Sequence, residues 1–183
     1  MRTLAWIVSS LALLVFLGAC GSTLPTFAPS ADAGGHLTAG VAGTINGKPI
    51  VLEQALITAQ HRVLGLALFD RTTDPDMANL APGTWYLGVR FAYEQPGPDL
   101  TAQLVSYDRG LSAATACVRL IHVDASGARH DVPVTEGRLR ITDWQERGGR
   151  IVEMTGSIDL ETPGGGHLGG TFLAPVRGWY LAP

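Results

Sequence analysis

From Thr84 to Glu94 the apolar side chains recur at every second position. Trp85, Leu87, Val89, Phe91 and Tyr93 share one face, and Thr84, Tyr86, Gly88, Arg90 and Ala92 share the other. A period of two is that of an extended strand with one face turned to a core. Leu100 to Tyr107 repeats it with Leu100, Ala102 and Leu104, after a turn at Gln95-Pro96-Gly97-Pro98-Asp99. Asp108-Arg109-Gly110 is a further turn. Ala114 to Asp124 and Arg129 to Val134 flank Ser126-Gly127, which reads as the two-residue turn of a hairpin. Such a turn pairs residue 122 with 131 and 123 with 130, and strand alternation then gathers His122, Asp124, Arg129 and Asp131 on one face.

The last third reads as a three-stranded meander whose register follows from side chains. A two-residue turn at Gly148-Gly149 sets Asp143 against Met154, Ile141 against Gly156 and Leu139 against Ile158 on an apolar face. It sets Trp144 against Glu153 and Arg138 against Asp159 on a polar one. A loop through Pro163 to Gly166 lets Leu160 meet Leu168 and brings Phe172 opposite Gly156, where a ring can cover the bare glycine.

Nearer the amino terminus, Asn46-Gly47 is a strong hairpin signal, because both turn positions tolerate positive φ, and the folded domain is expected to start at Thr44-Ile45. Val51 to Asp70 is ambiguous. Leu52, Ala55, Leu56, Ala59 and Val63 follow helical spacing, while Leu64, Leu66 and Leu68 alternate like a strand. Two strands with His61 at their turn are the preferred reading, and a short helix is the alternative. Asp74-Pro75 offers an N-cap and first-turn proline for one turn of helix inside the loop 71–83. With turns recurring at short spacing, the expected fold is all-β: an antiparallel β-sandwich or flattened barrel of roughly eight to ten strands, ending in the meander.

Before this domain the pattern changes twice. Arg2 is followed by a mostly apolar run, Leu4 to Leu17, which has the length of a signal-peptide h-region, is too short to span a membrane comfortably and is interrupted by Ser9 and Ser10. The run closes on Leu17-Gly18-Ala19-Cys20, which resembles the lipobox of bacterial lipoproteins. That resemblance implies cleavage before Cys20, a diacylglyceryl group on its thiol and acylation of the new amino terminus. It therefore implies a chain anchored in a membrane by two or three acyl chains. Gly21 follows the cysteine; in enteric bacteria an aspartate there tends to retain lipoproteins in the inner membrane, so the resemblance favours the outer membrane. From Gly21 to Gly43 small residues, Pro25, Pro29 and Gly34-Gly35 dominate, which reads as a flexible tether with His36 as a solvated residue. The expected organisation is a signal peptide over 1–19, a lipidated tether over 20–43 and one β-domain over 44–183.

Two features bear on that domain. Once Cys20 carries lipid, only Cys117 remains, so no intramolecular disulfide is available and the core must hold by packing; Cys117, in an apolar strand, reads as a buried thiol. Met154-Thr155-Gly156-Ser157-Ile158-Asp159-Leu160, followed by Leu168-Gly169-Gly170-Thr171-Phe172-Leu173-Ala174-Pro175, is similar to the end of many uncharacterised bacterial lipoproteins with β-sandwich-like domains. Thr44 to Pro49 looks like their beginning. These are turn and packing motifs, so the resemblance implies fold and localisation and brings no activity.

Candidate chemistry is sparse. One imidazole and two carboxylates in the cluster His122, Asp124, Arg129 and Asp131 could hold a divalent metal. Arg129 among them would repel a cation, and the cluster reads instead as a surface ladder of opposite charges. No Gly-x-Ser-x-Gly pentapeptide marks a serine nucleophile. Gly164-Gly165-Gly166 and Gly169-Gly170 lack the Lys-Ser/Thr of a phosphate-binding loop. Glu53, Asp70, Glu94 and Asp108 are scattered among strand ends. A formal net charge of −3 without a basic patch gives no footprint for nucleic acid. The expectation is a non-catalytic extracytoplasmic module, with no cofactor or metal beyond the lipid on Cys20, which binds an envelope component or protein partner. A barrel around a small apolar ligand and an undetected hydrolase are the alternatives.

Overall fold

The structure, a computed structural model, describes residues 38–60, 63–70, 80–92, 100–106, 112 and 114–179. The apolar leader, Cys20, His36, His61, Asp74-Pro75 and the turns at 95–99 and 108–110 lie outside the described residues.

The described chain is all-β. Its strands are β1 (Thr38–Ile45), β2 (Lys48–Leu52), β3 (Gln54–Gln60), β4 (Val63–Phe69), β5 (Trp85–Ala92) and β6 (Leu100–Ser106), then β7 (Thr115–Val123), β8 (Arg129–Val132), β9 (Glu136–Arg147), β10 (Arg150–Thr162) and β11 (Gly166–Trp179). No helix occurs among the described residues, and the ambiguous segment forms the β3–β4 hairpin, with Gln60 opposite Val63. Hydrogen-bonded neighbours run β3, β4, β5, β7, β6, β9, β10, β11 and back to β3, so eight strands close into a ring. β1 and β2 extend the sheet from β11, and β8 pairs with the end of β7.

Two of these pairings are parallel, β6 with β7 and β11 with β3, where the sequence led us to expect antiparallel neighbours throughout. Alternation assigns a side chain to a face, but it does not say which strand lies alongside or in which direction. The C-terminal meander, in contrast, forms as expected: β9, β10 and β11 pair consecutively, with Leu160 opposite Leu168 and Gly156 opposite Phe172.

The interior of the ring is filled by side chains, as the diameter of an eight-stranded barrel allows. Ile57, Leu66, Leu87, Val89, Phe91, Leu120, Leu139, Ile158 and Phe172 belong to one continuous buried cluster, joined by Val41, Ile45, Ile50 and Leu52 from β1 and β2. A second cluster lies on the other face of β3, β4, β5 and β7, where Leu56, Ala67, Phe69, Tyr86, Ile121 and Val123 are buried with Leu80. β5 is therefore covered on both faces, not on one as the alternation suggested. Cys117 is buried and free of any disulfide. Elsewhere the outward positions are polar: Thr101 and Gln103 on β6, Arg138 and Arg140 on β9, Asp159 and Glu161 on β10, and Thr171 on β11 are all exposed or line a surface groove. A barrel that faces lipid needs an apolar band at such positions. Among the described residues Val51, on the edge strand β2, is the large apolar side chain left exposed.

Strand β1 already runs from Thr38, six residues before Thr44, and the small residues read as tether take part in it. A Cβ on Gly43 would run into the backbone of His167 on β11, and one on Gly170 would run into the backbone of Gly40. Glycine here permits the close approach of β1 to β11, paired from Thr38 with Leu173 to Thr44 with His167. The next hairpin behaves as expected: Ile45 faces Lys48 across Asn46 (φ 51°) and Gly47 (φ 74°), both left-handed as a type I′ turn requires.

The β9–β10 register holds at Ile141 with Gly156, Leu139 with Ile158 and Arg138 with Asp159, but shifts nearer the turn. Two irregularities, between Thr155 and Gly156 and between Ile151 and Glu153, set Trp144 opposite Met154 and Asp143 opposite Thr155. Trp144 and Glu153 do not pair. One extra residue on each strand, Thr142 and then Val152, accounts for both shifts, because a bulge sets two residues against one. The Thr142 hydroxyl donates to the Thr155 carbonyl at 3.2 Å inside the first.

Candidate functional site

The hairpin β7–β8 carries the cluster singled out in the sequence, but a different turn builds it. The Gly127 N–H donates to the Asp124 carbonyl at 3.0 Å, and the Asp124 N–H to the Ala128 carbonyl at 2.9 Å. Gly127 has a φ of 86°. This is a three-residue loop, Ala125-Ser126-Gly127: a turn closed by Asp124, then a left-handed glycine. Residue 122 therefore lies opposite 130, and 123 opposite 129.

A one-residue slip exchanges the faces of a strand. It separates the expected quartet into two pairs. Arg129 and Asp131 pair with Val123 and Ile121, on the face of the second buried cluster, away from His122 and Asp124. There Arg119 grips Asp131 with two parallel bonds, Nε to Oδ1 at 2.6 Å and Nη2 to Oδ2 at 2.9 Å. This contact holds the Asp131 carboxyl below the usual carboxylate range, against a smaller opposing effect of burial. The depressed value means the pair contributes above the unfolded-state pKa, near 4, and loses its contribution as pH falls through the folded-state value. Asp131→Asn should therefore lower stability by less than about 1 kcal/mol at neutral pH, since the pair is largely exposed. Urea titrations at pH 7 and pH 3 check this: the difference between wild type and variant should shrink at the lower pH.

The other face brings together His122, Asp124 and a residue the sequence reading did not place there, His130. Trp85 on β5 sits opposite His122, one step beyond Leu87 and Leu120 along the same inward-facing row, and the two rings stack with centroids 4.5 Å apart and planes 26° apart. The His130 ring lies 6.5 Å from that of His122, tilted by 31°. Its Nε2 is 2.8 Å from Asp124 Oδ2. Asp124 also accepts at Oδ1 from the Ser126 hydroxyl (2.6 Å), the Ser126 amide (2.8 Å) and the Ala128 amide (3.0 Å). The Ser126 hydroxyl first, then His130 and the two amides, hold this carboxylate far below its ordinary range. A row of Trp85, His122 and His130, backed by a fixed carboxylate, thus lies where the buried interior gives way at one end of the barrel.

The signal for His130 was in the sequence. Asp124-Ala125-Ser126-Gly127 has aspartate at the first and glycine at the last position of a type I turn, the composition that lengthens the loop to three residues. Among the described residues, no three His, Cys, Asp or Glu side chains converge to hold a metal on their own.

A second polar region lies on the outer face of β6, β9 and β10. A surface groove of about 630 Å³ is lined by Thr101, Gln103, Glu136, Arg138, Asp159 and Glu161. Arg138 stands across from Gln103 on one side and Asp159 on the other, and His167 Nε2 reaches Asp159 Oδ1 at 3.1 Å. Three carboxylates against one guanidinium make the groove acidic. Comparison of the chain with models of known protein families, with curated proteins and with solved structures found no match.

Proposed function

We propose that this chain is a bacterial lipoprotein, anchored through Cys20 at the extracytoplasmic face of a membrane, and that its β-domain is a non-catalytic binding or structural module of the cell envelope. The carrying observation is Leu17-Gly18-Ala19-Cys20 at the end of a fourteen-residue stretch that is apolar but for Ser9 and Ser10, with Cys20 18 residues before the start of the first described strand. Two features of the domain support the reading. Its described outer surface is polar apart from isolated positions such as Val51, so attachment to lipid falls to the acylated cysteine and not to the barrel wall. Asp124 shapes its own turn, Asp131 is gripped by Arg119, and Asp159 meets His167, so each of these carboxylates has a structural partner.

Gly21 favours the outer membrane over the inner one. In a Gram-negative host, wild-type chain should sediment with outer-membrane vesicles on a density gradient. Cys20→Ser behind an ordinary cleavable signal should leave the domain in the periplasmic extract. Retention of the Cys20→Ser chain in membranes at the wild-type level would refute the anchor, and recovery of wild type with the inner membrane would refute the placement.

A further inference from the structure

We propose that His122 and His130 form a two-imidazole site for a late first-row divalent cation, with copper(II) bound most tightly. The proposal does not depend on the lipid anchor. The sequence argued against a metal here because Arg129 stood among the ligands, but the observed register moves Arg129 and Asp131 to the opposite face and puts a second imidazole in their place. The two histidines are direct cross-strand partners, with ring centroids 6.5 Å apart. Two metal–nitrogen bonds of about 2 Å, each to a nitrogen roughly 1 Å out from its ring centre, bridge about 6 Å, so the ring separation matches that of two imidazoles sharing one ion. Imidazole pairs suit copper, nickel and zinc, and affinity among divalent ions peaks at copper.

Asp124 has the position of an orienting partner, not a ligand. Its Oδ2 accepts from His130 Nε2, which leaves Nδ1 with its lone pair, the arrangement by which a carboxylate fixes the tautomer and orientation of a metal-bound histidine. Three donors from the turn fix the carboxylate in its place. Water completes the coordination, because no third His, Cys, Asp or Glu converges among the described residues. The site therefore exchanges its ion and does not hold the fold together. Trp85, stacked on His122, supplies a reporter for copper beside that ring.

The test titrates the full chain in detergent with copper(II) sulfate alone. At one equivalent, the electron paramagnetic resonance spectrum should show two coupled imidazole nitrogens, and tryptophan fluorescence should fall by an amount that Trp85→Phe removes. His122→Gln and His130→Gln should each weaken binding at least tenfold. Asp124→Asn should weaken it by about 10- to 100-fold, the usual effect of losing an orienting partner. Each variant is checked for an unchanged circular dichroism spectrum, and the wild-type spectrum stands as evidence whether or not a variant folds. A wild-type signal with fewer than two imidazoles would overturn the proposal, as would copper held equally well by the double His122→Gln, His130→Gln chain.

Discussion

Phe172→Ala is expected to lower stability by about 3–5 kcal/mol, the range for removing a buried ring when the surroundings close only partly over the cavity. Phe172 is 2% exposed and belongs to the main buried cluster. It lies opposite Gly156 on β10 and Ala39 on β1, so its ring is enclosed where three strands meet. Gly156 has no side chain because a Cβ there would come within 2.6 Å of Phe172 Cζ. Neither neighbour can grow into the space without backbone movement, so the cavity stays. Urea unfolding followed by circular dichroism measures the loss; a change under about 1 kcal/mol would show that the ring does not pack as described.

Gly170→Ala should cost on the order of 3 kcal/mol, from two sources that act together. Gly170 has a φ of 153°, which side chains on L-residues rarely adopt. A Cβ there would also meet the Gly40 backbone and come within 2.8 Å of Val41 Cα. β11 is held at this point between β1 and β10, with Val41 on one side and Ile158 on the other, so it cannot retreat from the clash. Gly40→Ala is the control. Its Cβ would meet nothing within 4 Å, and the change should stay within about 0.5 kcal/mol of wild type. Equal losses at the two glycines would mean that β1 and β11 do not approach as closely as described.

These two residues mark what could and could not be read from the sequence. Phe172 was legible: Leu160 with Leu168 and Phe172 with Gly156 follow from a glycine turn and a matched apolar face, both local to the chain. Gly170 was not, because its partner lies in a stretch whose small residues look like linker until another strand is laid against them. The same division runs through the rest of the fold. Asn46-Gly47 announced its hairpin, whereas the parallel pairings β6–β7 and β11–β3 join strands whose neighbours no local pattern names. In the candidate site, His122 and Asp124 were found and His130 was missed through one extra loop residue. Because side chains alternate, that single residue replaced a ladder of opposite charges with a pair of imidazoles.

The proposed lipid anchor at Cys20 is directly measurable. Mass spectrometry of the amino-terminal peptide, from chain produced in a bacterium and extracted with detergent, reads both the cleavage site and the modification. The expected result is a mature chain beginning at Cys20, its thiol carrying a diacylglyceryl group. An amino terminus at any other residue, or an unmodified Cys20, would contradict it.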